Sequence, residues 1–258
     1  KTVTKGAGPI TLKIKELVQK GKKLIVMDAA SSTDLEQIAL AIDKSGYNLL
    51  PCGSAGLANA FNKIIDMDTK ERHIQHIPSL PRMIVSGSAT QLSATQIQKL
   101  KEEKRNASFV ELTLKDVIEE PKEELINSIS QKLQEGIDVV VHPYKIHDEL
   151  SNEEGESILI DAGIAQNELP SKITDFLSNL TYEINLKCKF ILIMVGGETS
   201  YKCASKIKSA YFEVLDVILP AIPLCMDMHG KIIVTKSGNF GNFTTLIEIL
   251  NYFDRLKQ

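Results

Sequence analysis

The sequence predicts an α/β fold: a three-layer sandwich with a largely parallel sheet, preceded by a partial α/β domain. Three observations predict it. Short unbroken apolar runs, Leu24–Met27, Met83–Val85, Val139–Val141 and Phe190–Val195, read as strands buried on both faces. Amphipathic segments alternate with them, and βαβα alternation implies parallel strands. Loops of glycine and small hydroxyl residues follow four of the strands, as they do at the carboxyl edge of open α/β sheets.

In chain order, Ile10, Leu12, Ile14, Leu17 and Val18 mark a helix over 10–20 that ends near Gly21. Leu24–Met27 is the first strand, closed by Asp28-Ala29-Ala30. Ser31, Ser32 or Thr33 caps the next helix, whose apolar positions are Leu35, Ile38, Ala39 and Ile42. Leu49-Leu50 is a short strand leading into Cys52-Gly53-Ser54-Ala55-Gly56, and a helix follows to about Ile65. Residues 66–82 are polar and carry Pro78 and Pro81, so the domain boundary falls there, giving domains 1–80 and 81–258.

In the second domain Met83–Val85 restarts the sheet, with a helix over 93–104, a strand over 108–112 and a helix over 122–135. Val139–Val141 is a strand, 147–157 an acidic surface loop, and 160–186 a long helix. Phe190–Val195 breaks into Gly196-Gly197-Glu198-Thr199-Ser200, with a helix over 201–209 beyond. Strands follow over 214–219, 222–226 and 232–234, then Lys236-Ser237-Gly238-Asn239-Phe240-Gly241 and a final helix over 243–256.

The 258 residues suffice for one large or two small domains, and the 43% hydrophobic content is that of a globular protein. A net charge of −3 gives no general affinity for nucleic acid or an anionic membrane. No apolar run approaches the roughly 20 residues that span a bilayer, and the start, Lys-Thr-Val-Thr-Lys-Gly, is not a signal peptide. Cys52, Cys188, Cys203 and Cys225 show no CxxC spacing, so reduced thiols and a cytoplasmic location are expected.

The loops Gly53–Gly56, Ser86-Gly87-Ser88-Ala89-Thr90, Gly196–Ser200 and Ser237–Gly241 share one chemistry. Free backbone N–H groups and hydroxyls at strand ends surround phosphate well, although each loop alone also fits an ordinary βα turn. None is GxxxxGK[ST] or GxGxxG, so neither a P-loop nor a Rossmann dinucleotide site is expected. Lys236 is either a point charge against phosphate or a solvated strand-end lysine. Glu198 is either a magnesium ligand beside phosphates or an acid at a helix N-terminus. Asp28 ends a strand and is placed for a site, or simply begins a helix. His73 and His76 lie in the polar linker without a third ligand, and His142 and His147 also lack partners, so no metal site of the protein's own is expected. Cys52 is either a nucleophile or a structural thiol.

Taken in order, Met27-Asp28-Ala29-Ala30, Gly53-Ser54-Ala55-Gly56-Leu57-Ala58, Val85-Ser86-Gly87-Ser88-Ala89-Thr90, Gly196–Ser200 and Thr235–Gly241 resemble the four-carbon acid sugar kinase family, from about Gly21 to Phe253. The resemblance implies ATP and Mg²⁺ as cofactors, a small-molecule sugar acid such as erythronate or threonate as substrate, and a homodimer. It implies ATP contacts at Ser86, Ser88, Gly196, Gly197, Thr199, Gly238, Asn239, Phe240 and Gly241, with Glu198 where the family commonly has Asp; Gly87 and Lys236, in the same loops, complete the expected nucleotide-binding set. Asp28, Gly53 and Ser54 are the weaker candidates on the sugar-acid side. The family's opening Asp-Asp-x-Thr-Gly-Ala and later Asp-Ser-x-x-Arg-Gly segments do not occur here. The resemblance therefore implies a fragment whose sugar-acid site is incomplete, with its catalytic base unassigned and no activity by itself. The alternative function is a non-catalytic sensor of nucleotides or sugar phosphates, built on the same loops.

Overall fold

A computed structural model describes residues 2–65, 77–103 and 106–256. Contacts divide the chain into two compact units, Lys1–Glu71 and Arg72–Gln258. His73 and His76 lie outside the described residues.

The first unit holds a 3₁₀ turn, Val3–Lys5, and the helices α1 (Ala7–Gln19), α2 (Ser32–Asp43) and α3 (Ala55–Asn62). Ile10 and Ile14 of α1 pack against Ile38 and Ala41 of α2 as its small core. The Ser31 hydroxyl accepts the Asp34 N–H while the Asp34 carboxylate accepts the Ser31 N–H, a capping box that starts α2. The two strands expected here do not form among the described residues. Leu24–Met27 and Leu49-Leu50 have no ladder partner, and a lone strand cannot satisfy its own backbone. Ile25, Met27 and Leu49 turn toward the helices, which leaves Leu24, Val26 and Leu50 at 83%, 82% and 94% exposure.

The second unit is a seven-stranded sheet: β1 (Arg82–Ser86), β2 (Ala107–Glu111), β3 (Asp138–His142), β4 (Ile191–Val195), β5 (Phe212–Leu219), β6 (Ile222–Asp227) and β7 (Ile232–Lys236). Its order is β2-β3-β1-β4-β7-β6-β5; the first five strands run parallel, and β6 and β5 complete it in antiparallel fashion. The helices are α4 (Gln91–Glu102), α5 (Leu114–Val117), α6 (Glu123–Gln134), α7 (Lys145–Glu149), α8 (Glu153–Asp161), α9 (Leu169–Lys187), α10 (Gly197–Lys206) and α11 (Thr245–Arg255).

Strand alternation divides the apolar residues into two cores. Met83, Val85, Val139, Val141, Leu192 and Met194 face α6, α9 and α10, with Ile129, Leu177, Leu180 and Cys203 among the partners. Ile84, Val140, Ile193, Val195 and Val234 face α4 and α11, against Ile97, Leu100, Leu246 and Leu250. The sandwich is three-layered, as the buried runs predict.

Three spans differ from expectation. The acidic stretch 147–157 is largely helical, because the Asn152 side chain accepts the Gly155 N–H at 2.9 Å and the acids of the first turn suit the positive end of α8. The helix expected over 160–186 is two helices, α8 and α9, separated by a turn containing Gly163 at φ +65°. Finally, α10 begins at Gly197 rather than near Tyr201, so the glycine loop is itself the helix start.

Candidate functional site

The polar loops meet because of strand adjacency. Ser86 pairs in register with Val195, and Val195 with Lys236, so three loops leave β1, β4 and β7 at one level of the sheet. All three strands run parallel, and the loops share the carboxyl edge, where open α/β sheets bind ligands.

Gly196 caps α10 at φ +113°, a conformation closed to residues with a Cβ. Its N–H donates to the Lys236 carbonyl at 2.8 Å, joining the second loop to the third. The first hydrogen bond of α10 runs from the Ser200 N–H to the Gly196 carbonyl at 2.9 Å, so the amides of Gly197, Glu198 and Thr199 precede the helical ladder. The Gly87 N–H donates to the Val195 carbonyl at 3.3 Å, tying the first loop to the second.

Ser88 connects the first loop to the third. Its hydroxyl lies 3.0 Å from the Thr90 hydroxyl and accepts from Ser93 Oγ at 3.1 Å. Thr90 and Ser93 both reach the Gly238 carbonyl, at 3.1 and 3.0 Å. A Cβ on Gly238 would stand 2.2 Å from Ser88 Oγ, and one on Gly87 would stand 2.4 Å from Thr199 Oγ1. The side-chain amide of Gln96 donates to the Asn242 carbonyl at 2.6 Å and holds the far end of the third loop, a contact the sequence did not suggest.

Lys236 is 1% exposed, not solvated. Its ammonium donates to the carbonyls of Ser237 at 2.9 Å and Gly238 at 3.5 Å, and burial pulls it down to about 8. Thr199 is fully buried, and its hydroxyl lacks a hydrogen-bond partner. Glu198 points outward, 64% exposed, with its carboxylate 3.8 Å from Lys202. Phe240 is 48% exposed, Asn239 is exposed, and Gly241 closes the third loop at φ +87°. Among the described residues no three His, Cys, Asp or Glu side chains gather as a metal cage.

In the first unit, Asp28 lines a cavity of about 490 Å³ with Ile10, Ile14 and Met27. Gly53 and Ser54 are exposed at the start of α3 and do not line it. Cys52 is exposed, whereas Cys203 is buried and pushed up to about 12.

Comparison with known proteins shows the family. Residues 83–246, more than half of the chain, match the model of a nucleotide-binding C-terminal domain, and residues 1–61 match that of a sugar-binding N-terminal domain. The chain belongs to the four-carbon acid sugar kinase family. Within this kinase family, a curated relative, the D-threonate kinase of Salmonella typhimurium, is 25% identical over 92% of the chain and 56% of its own length. Two solved structures share the fold. A Haemophilus influenzae DUF1537 protein (TM-score 0.70, 22% identity) covers 98% of this chain and 59% of its own. A Salmonella typhimurium protein described as a putative tRNA synthase (TM-score 0.71, 18% identity) covers 98% and 58%. The chain thus spans little more than half the length of these relatives. No described helix is long and apolar enough to cross a membrane.

Proposed function

We propose that this chain carries the ATP-binding half of a kinase that transfers a phosphoryl group to a hydroxyl of a four-carbon sugar acid, erythronate or threonate being the model substrates. The observation that carries the reading is the cradle itself. Three loops leave adjacent strand ends and bring together the amides of the α10 start, Ser86, Ser88, the buried and unpartnered Thr199 hydroxyl and the Lys236 ammonium. Phosphoryl transfer depends on positioning and charge neutralisation, and these groups supply both. The helix-start amides and Thr199 hold phosphate oxygens, Lys236 neutralises charge from the floor, and Gly238 lets the backbone approach. Glu198, the exposed acid beside the α10 amides, would be the residue to hold a magnesium ion accompanying the nucleotide, and the ion would supply charge neutralisation there. The catalytic base is unassigned. The reading includes a cytoplasmic location and a homodimer.

Calorimetry with magnesium–ATP and with inorganic tripolyphosphate tests the cradle. Both should bind, and Gly238→Ala should weaken both by about tenfold or more, because its Cβ would displace Ser88. Absence of both signals from the folded wild type overturns the reading. ADP release with erythronate or threonate, assayed on a protein that also carries a complete sugar-binding domain, tests the kinase step. Turnover supports it, and ATP binding without turnover of either acid leaves only a sensor.

A further inference from the structure

A second polar space adjoins the phosphate cradle. It is a cavity of about 300 Å³ between α4 and the carboxyl ends of β2 and β3, lined by Gln91, Gln98, Lys101, Glu111, His142 and Tyr144. None of the expected phosphate-contact residues lines it.

Register explains why these groups share a face. Glu111 pairs with His142 across β2 and β3, and Val141 pairs with Val85 across β3 and β1, which puts His142 beside Ser86. The row Glu111, His142, Ser86, Val195, Lys236 therefore crosses five strands on the α4/α11 face. The proposed phosphate cradle lies at the Ser86–Lys236 end. The Glu111–His142 end begins one strand away, and two strand spacings, about 10 Å, separate Ser86 from Glu111. That is the scale of the ribose linking a base to its phosphates.

One residue that lines the cavity is buried and has an unpaired polar atom. His142 is 5% exposed, yet its Nδ1 has no hydrogen-bond partner. Its ring lies 5.2 Å from that of Tyr144 at an interplanar angle of 30°, and the Tyr144 hydroxyl is 3.3 Å from Ser86 Oγ. Tyr144 thereby links the cavity to the first loop. Burial lowers the imidazole's proton affinity, opposed in part by Glu111, so the ring offers a neutral nitrogen.

We propose that this cavity holds the base of the bound nucleotide, a purine with an amine at its 6-position, and that Glu111 and His142 read that amine and the neighbouring ring nitrogen. A carboxylate accepts from the amine of adenine but faces the carbonyl oxygen of guanine unfavourably, so the pair selects ATP over GTP. The inference rests on the proposed nucleotide cradle.

Calorimetry on the full chain with ATP, GTP and tripolyphosphate, each with magnesium, tests it. The wild type should bind ATP about tenfold or more tighter than GTP. Glu111→Gln, at an exposed rim position, should narrow that ratio to about threefold or less, because an amide can turn its donor toward guanine. His142→Ala should weaken ATP about tenfold and leave tripolyphosphate unchanged. Equal ATP and GTP affinities in the wild type, or an unchanged ratio in Glu111→Gln, overturn the base assignment while tripolyphosphate binding leaves the cradle standing. Loss of tripolyphosphate and ATP together in folded His142→Ala also overturns it. Absence of all three ligands from the wild type removes the cradle and the base site with it.

Discussion

Asp138→Ala is expected to destabilise the second unit by about 3–5 kcal/mol, the cost of stranding a buried guanidinium. Arg82 is 7% exposed and Asp138 6%. One carboxylate oxygen of Asp138 accepts the Arg82 backbone N–H at 2.8 Å and Nε at 2.9 Å, and the other accepts Nε at 2.9 Å and also Nη2. Arg82 Nη1 continues to the Leu250 carbonyl at 3.2 Å and to Asp254. The group joins β1, β3 and α11 at the amino edge of the sheet, opposite the cradle. Urea unfolding should show the loss in midpoint. The double replacement Arg82→Met with Asp138→Leu should recover most of it, because it removes the charges rather than orphaning one. A single-variant loss under about 1 kcal/mol would show that water relaxes into the pair.

Lys236→Met is expected to weaken ATP binding at pH 7 by about tenfold or more and to abolish its dependence on pH above 8. Burial lowers this lysine from 10.5 to about 8, so it is charged at pH 7. The unfolded chain holds the proton more tightly, so between about 8 and 10.5 unfolding takes up a proton and stability rises with pH. Below that window the buried charge costs the ligand-free fold about 3 kcal/mol. Bound polyphosphate would reverse the preference by favouring the ammonium, so wild-type affinity should hold up to about pH 8 and fall above it. Lys231 is also lowered to about 8, but it lies at the other end of β7, over the Phe190 ring at 3.6 Å. Titrations of ATP affinity against pH separate the two: a slope that persists in Lys236→Met would assign it elsewhere.

Much of this was legible in the sequence for a physical reason. Strands buried on both faces are continuous apolar runs, and Met83–Val85, Val139–Val141 and Ile191–Val195 need no partner's identity to be recognised. The loops were legible because glycine and hydroxyls at a strand end are few in kind. What pairwise separation hides was not legible. Arg82 and Asp138 are 56 residues apart, and neither side chain has a local signature. His142 looked idle because its neighbours in sequence are not its neighbours in the sheet; Glu111 sits beside it only through strand pairing. Leu24–Met27 misled in the opposite direction. Its residues are strand formers, but a strand is a property of a pair, and the described residues of its unit give it no second member. The helix α8 was hidden by acidity, which at a capped helix start is stabilising.

The row Ser86, Val195, Lys236 has a consequence for how the molecule would register its ligand. The three loops leave the chain at positions far apart, yet they are bonded to one another through Gly87 to Val195 and Gly196 to Lys236. A ligand that grips all three binds only the fully assembled sheet, so it stabilises against global opening rather than local fraying. Its footprint in hydrogen exchange would be the slow amides of β1, β4 and β7 together. The α10 start alone would show such protection only if phosphate were held by the helix without the other two loops.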